Sequence, residues 1–346
     1  MTRRPYHARV ATIADVAQAA GVSIATVSRV LSPGARPYPV RPETAERVRA
    51  AATALNFIPS PLARGLATNR SGLLGLLVPD LADPHYPHIA SGVEDSARAA
   101  ELAVLICNTL GSPERLADYL RLLHARHVDA IVLCGGSTLG PDELATLEAS
   151  SAPVVLIGRP AEPSRLPFVS IDNLKAAREA TVHLLAAGRT RIAHLGGPAS
   201  QTTMRDRADG YRWAMADAAL PPLVIETAGS PEDGLRHARG LLERPPGQRP
   251  DAIFAATDRL ALAVLAAAAD LDVQVPRQLA VVGFDDLPLA PYFRPALTSV
   301  AQPARQLGDL AIQAALQLSA GLSVEPIFVP AELVVRDSTR PSRSGG

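Results

Sequence analysis

Apolar side chains in residues 12–31 recur at steps of three and four. Ile13, Val16, Ala17 and Ala20 share one helical face, and Val27, Val30 and Leu31 share another. Thr12 stands at an N-cap position with Asp15 three residues on, close to a capping box. Gly21 follows the first face where a left-handed C-cap belongs, and Ser23 is placed to cap the second helix. The pattern predicts two short helices joined by a turn, a helix-turn-helix. A third helix is predicted over about 43–55, opened by Pro42, with Thr44, Val48, Ala51, Ala52 and Leu55 inward.

From residue 73 the period changes. Short apolar runs at 73–79, 102–107, 130–135, 153–158 and 168–172 alternate with helical stretches around 87–100, 113–126 and 141–150. A second series has runs at 191–197, 223–227, 252–257 and 279–286, with helices near 174–187, 205–219, 231–243 and 258–271. Strands each followed by a helix read as parallel sheet with crossovers. Two such series predict an α/β body of two doubly wound subdomains with a cleft between them. The expected boundaries are 1–58 for the three-helix head, 59–71 for a hinge or linker and 72–346 for the body. Within the body, one subdomain takes about 72–170 and 302–322, the other about 171–301 and 323–340.

Composition sharpens this picture. The chain has 346 residues, enough for two or three domains, and is 47% hydrophobic but only 4% aromatic. No apolar run reaches the ~18 residues that span a bilayer, and residues 1–10 carry charge without an apolar core, so neither membrane nor export is expected. Two cysteines, Cys107 and Cys134, make no disulfide framework, which fits a reducing cytoplasm. Net charge is zero but unevenly spread. Residues 1–72 hold ten arginines against three acids, a surplus of seven positive charges that the rest of the chain balances. A basic head on an acidic body suits a head that meets a polyanion.

The outer face of the second helix carries Ile24, Ala25, Ser28 and Arg29. Small residues allow close approach to a major groove, and Arg29 offers a fork to guanine. Leu62, Ala63 and Leu66 form one face of a short segment that would order only on binding, with Leu66 as a minor-groove wedge. In the body, ligands sit beyond the carboxyl ends of strands. That singles out residues 80–86, 108, 134–137, 158–159, 196–207, 257–258 and 285–286. Asp285-Asp286 could ligate a metal, but a turn carrying one ligand-facing carboxylate is the simpler reading. His85 and His88 read as loop histidines, and Cys134 as a small packed thiol. Gly135-Gly136 and Gly196-Gly197 belong to no phosphate-binding pattern, and no catalytic constellation stands out, so neither cofactor, metal nor enzymatic activity is expected.

The run VAQAAGVSIATVSRVL, with ETAERVRAAATALNFIPSPLARGLA after it, resembles the LacI/GalR-type bacterial transcription regulators. In the body VPDLADPHY, GGPASQTTMRDRADGY, FAATDRLALA and VVGFDDLPLAPYFRPALTSVAQP continue the resemblance over essentially the whole chain. It implies a homodimer on a pseudo-palindromic double-stranded DNA operator, probed by a small-molecule effector of sugar-like chemistry in a periplasmic-binding-protein-like body. By position, Ile24, Ala25 and Arg29 would read bases, while Thr12, Ser23, Thr26 and Ser28 would contact phosphate or position the helix. Residues 61–68 would form a hinge helix, with Leu62 and Ala63 at the DNA and Leu66 inserted. Arg207 and Asp285 would clamp ligand hydroxyls, with His85, Tyr86, Cys134, Arg159, Thr257 and Asp258 around them. The chain departs from the family's pattern at Ile24, where a polar or aromatic residue is usual, within residues 34–39, where several residues are extra, and at Gly158, Gly229 and Thr257. No leucine heptad follows Val335 and residues 336–346 read as disordered, so a dimer is the expected assembly. A transport-type solute-binding protein and an enzyme on the same fold are the alternatives.

Overall fold

The computed structural model describes residues 11–31, 40–57, 70–135, 139–161 and 163–340. The chain separates into two compact units, Met1–Gly72 and Leu73–Gly346.

The head contains α1 (Ile13–Ala20), α2 (Ile24–Leu31) and α3 (Pro42–Ala54). Thr12 and Asp15 form the full capping box: Asp15 N–H donates to Thr12 Oγ1, and Thr12 N–H donates to the Asp15 carboxylate at 2.8 Å. Gly21 ends α1 at φ 63°, a left-handed conformation that a side chain would strain. Val16, Ala17, Ala20, Val27, Val48 and Ala52 are the buried core. Leu55, expected inward, is 38% exposed. The helix stops before it: Asn56 turns left-handed at φ 48°, and Phe57 folds back against the core with its N–H on Ala52 O.

The body holds two six-stranded sheets. The first contains β1 (Leu73–Val78), β2 (Ala103–Asn108), β3 (Ala130–Cys134), β4 (Val154–Ile157), β5 (Phe168–Ile171) and β11 (Ile327–Val329), in the spatial order 2-1-3-4-5-11. The second contains β6 (Ile192–Gly196), β7 (Leu223–Glu226), β8 (Ala252–Ala255), β9 (Ala280–Asp285), β10 (Thr298–Ala301) and β12 (Glu332–Val334), in the order 7-6-8-9-10-12. Every pairing is parallel except β10 with β12. Both sheets repeat one winding, reversing direction beside their first strand, the place where such folds leave a crevice.

The chain passes between lobes after β5, after β10 and after β11. The last crossing lies later than the expected boundary at residue 323: Ile327–Val329 pairs with Val169–Ile171 and belongs to the first lobe. Three residues are too few for a period to show. The tail also differs from expectation. Ser338 and Thr339 are buried, Ser338 Oγ donates to Val281 O, and Thr298 N–H donates to Ser338 Oγ. A polar composition concealed hydroxyls that close the starts of β9 and β10.

Two helices seal the first lobe, α4 (His85–Ala99) and α11 (Ala304–Ser319). A Cβ on Gly92 would lie 2.1 Å from Arg305 O, and one on Gly308 would lie 2.4 Å from Ile89 O. The helices therefore meet backbone to backbone, which fixes His85 and Tyr86 in the first turn of α4 at the cleft. Those residues were expected in a loop.

Candidate functional site

The cleft between the lobes encloses about 420 Å³. Its first-lobe wall is largely aliphatic, with Ile89, Ile157, Val169, Ile171 and Leu307. The facing wall is polar and carries Asn173, Ser200, Gln201, Thr203, Arg207 and Thr257. Asp83, His85, Tyr86, Ser170, Asp285 and Gln302 add further polar groups to the lining.

Arg207 lies on α8 (Thr202–Asp217) and is 4% exposed. Its Nε donates to Asn173 Oδ1 at 2.9 Å and its Nη1 donates to Ala256 O at 2.5 Å. The guanidinium carbon stands 3.6 Å from the centroid of the Phe284 ring. Asp285 Oδ1 is 3.8 Å from Arg207 Nη1 and accepts from Gln302 Nε2 at 2.6 Å. Asp285 ends β9 at φ 112°, a strained backbone for a residue with a side chain. The strain and the bonds hold a cation and a carboxylate side by side, a donor and an acceptor for vicinal hydroxyls.

Burial sets the charge states. It pushes the Asp285 carboxyl above its ordinary range, with His85 and Arg207 pulling the other way. It lowers the His85 imidazole, opposed by Asp285 and Asp83, so the ring is neutral near pH 7. The Tyr86 phenol is raised by burial. Two ion pairs cross the cleft: Asp83 with Arg259 at 3.1 Å, and Arg159 with Asp206 at 2.7 Å. With Arg259 and Asp206 supplied by the facing lobe, each tie joins the two lobes.

Of the expected residues, His85, Tyr86, Arg207, Thr257 and Asp285 line the cleft. Thr257 Oγ1 also accepts the Leu260 N–H as the cap of α10 (Asp258–Asp270). The other three do not line it. Cys134 is buried in the first lobe, and Gly135 takes the place expected for it. Arg159 is spent on its tie to Asp206. Asp258 is wholly buried and accepts from Leu287 N–H and Ser299 Oγ, and burial raises its carboxyl to about 8. Strand-end reasoning locates a position but not which way its side chain turns. Asn173 and Gln302 were missed. Asn173 follows the end of β5 by two residues, so the strand-end rule applied to that strand would have found it. Gln302 follows β10, which no run predicted.

Asp286 points away from the cleft and pairs with Arg336 at 2.6 Å. No group of three or more His, Cys, Asp or Glu side chains that could hold a metal occurs among the described residues.

In the head, Ser23 just before α2 and Ile24, Ala25, Ser28 and Arg29 on it are exposed. Ser23 Oγ accepts from Thr26 N–H at 3.2 Å and lies 3.0 Å from Thr26 Oγ1, so these hydroxyls anchor the helix start. Leu62, Ala63 and Leu66, and the hinge over 61–68, lie outside the described residues.

A helix-turn-helix head joined in one chain to a two-lobed, periplasmic-binding-protein-like body defines a DNA-binding regulator with a ligand-sensing domain. Residues 12–60 match the family of bacterial regulatory proteins of lacI type, and residues 181–339 match a periplasmic binding protein-like domain. The HTH-type transcriptional regulator DegA of Bacillus subtilis (strain 168) is 35% identical over 338 residues, covering 95% of this chain and 98% of that protein. The ribose operon repressor of Escherichia coli (strain K12) is 35% identical over 305 residues, covering 87% and 91%. Among solved structures, the lac repressor dimer bound to operator and the anti-inducer ONPF superposes with a TM-score of 0.87 at 28% identity, covering 96% of this chain and 99% of that one. A complex of the transcriptional regulator CelR with cellobiose gives 0.71 at 30% identity, covering 95% and 99%. The chain belongs to the LacI family of bacterial transcriptional regulators. No helix among the described residues is long and apolar enough to cross a membrane.

Proposed function

We propose that this protein is a cytoplasmic repressor that binds a pseudo-palindromic operator as a homodimer and responds to a small, neutral, polyhydroxylated effector held in the cleft. The observation that carries the effector reading is the Arg207–Asp285 pair, with its internal partners Asn173 and Gln302, facing a largely aliphatic wall. Arg207 is the one cationic side chain lining the cleft among the described residues, apart from neutral His85, and it is already matched by Asp285. A phosphate or carboxylate would meet no uncommitted positive charge there, whereas hydroxyls find both a donor and an acceptor. The site binds and does not turn its ligand over.

Ligand in the cleft bears on both lobes at once and so favours one angle between them. A coupling of about 1–3 kcal/mol changes operator affinity about 5- to 150-fold. The test has two stages. Selection of duplexes from a random pool by the full-length protein should return an inverted repeat. A metabolite panel should then shift the affinity for that duplex, and Asp285→Asn should bind the duplex as before without the shift. An unshifted duplex with every neutral polyol, together with a shift by anionic metabolites, would reject the effector class.

A further inference from the structure

We propose that Ile24 makes the head select a thymine at one position of each half-site by packing on its C5-methyl group. The proposal rests on the head being the duplex-reading module. Ile24 opens α2 and is 51% exposed, more than Leu55, the other large hydrophobic that the described part of the head leaves in solvent. The core of the head is complete without it. Ser28 stands one turn further along the same side, and Ala25 with Arg29 forms the adjacent row. The short side chains of Ala25 and Ser28 let the helix backbone approach base edges, which brings Ile24 within reach of them. The head's surplus of arginine over acid matches the charge of a duplex backbone.

Base edges in the major groove present mostly donors and acceptors, and the thymine methyl is their one apolar protrusion. An aliphatic side chain pressed against a donor or acceptor edge strips it of water without replacing the hydrogen bond, which is unfavourable. Against a thymine methyl the same side chain buries apolar surface on both sides. Ile24 therefore discriminates for thymine and against the other three bases at the position it covers.

Uracil differs from thymine by that methyl alone. In the duplex selected by the full-length protein, each thymine of a half-site is replaced singly by uracil, and affinity is measured for the wild type and for Ile24→Ala. One position should lose affinity about four-fold with uracil in the wild type, the worth of one buried methyl. At that position Ile24→Ala should be indifferent to the replacement, and Ile24→Val should fall between. Circular dichroism should show the variant's helices intact. Equal uracil sensitivity in wild type and Ile24→Ala, or none at any position, overturns the proposal while leaving the duplex-reading role standing. Failure to select any duplex would sink both.

Discussion

Ile24 and Arg207, which we propose touch the duplex and the effector, are held in opposite ways. Ile24 is half exposed on an eight-residue helix above a core of six small side chains. Arg207 is buried, bonded to Asn173 and Ala256 and stacked on Phe284. The head presents its reading surface to solvent, so changes there alter recognition and spare the fold. The body builds its recognition groups into its own interior, so changes there disturb recognition and fold together. The sharpest test of the contrast is Arg207→Ala. It removes the cation beside buried Asp285 and strips partners from Asn173 Oδ1 and Ala256 O. A loss of about 3–5 kcal/mol is expected in denaturant unfolding of the body. Ile24→Ala should change that stability by less than about 0.5 kcal/mol. Equal losses for the two variants would erase the distinction.

The head has its own weak point. Val48 is fully buried from α3 against α1 and α2. Val48→Ala should cost about 2 kcal/mol, the lost methyls plus the hole they leave. In so small a core that is a large share of its stability, and the head should melt in a separate, earlier transition while the body's is unmoved. A single transition shifted as a whole would show that the two units do not fold independently.

How far these features were legible in the chain follows the same divide. In the head, Thr12, Asp15 and Gly21 act locally, and each plays the role its type and spacing imply. Most strands and helices of both sheets were legible, β10 and α11 excepted, because runs such as residues 252–257 are buried on both faces and read as continuous apolar stretches. What was hidden depends on tertiary direction. Asp258 follows a strand as Asp285 ends one, yet one carboxylate turns into the interior toward Ser299 and the other into the cleft. The two short strands Ile327–Val329 and Glu332–Val334 were hidden as well, since each is three residues long and is defined by its partners.

Buried ionisable groups give the body a pH dependence. His194 is fully buried between Tyr211 and Phe254, its Nδ1 paired with Phe254 O, and burial lowers its pKa to about 3. The unfolded chain then binds the extra proton below about 6.5, so this stability is present above that pH and lost as pH falls toward 3. Asp258 has the opposite sign: its carboxyl, raised to about 8, contributes below the ordinary carboxylate range and loses that contribution as pH rises to 8. His194→Phe keeps an aromatic ring and removes only the first effect. Relative to wild type it should gain about 1–2 kcal/mol between pH 7.5 and pH 5. A difference independent of pH would show that the imidazole takes up its proton as readily in the folded chain as in the unfolded one.

The smallest effect is expected where the body is most like the head, at its exposed rim. Arg159 is 42% exposed while tying Asp206 across the cleft, and it does not line the cavity. A half-exposed pair of this kind contributes about 0.2–1 kcal/mol, and salt weakens it. Arg159→Ala should therefore leave unfolding nearly unchanged, yet the tie exists only while the lobes are close, so its whole contribution falls on closure. Effector affinity should drop about two- to four-fold at low salt, and the difference from wild type should shrink at high salt. A loss of ten-fold or more that ignores salt would mean that Arg159 reaches the ligand itself, and the line between rim and interior would have to be redrawn.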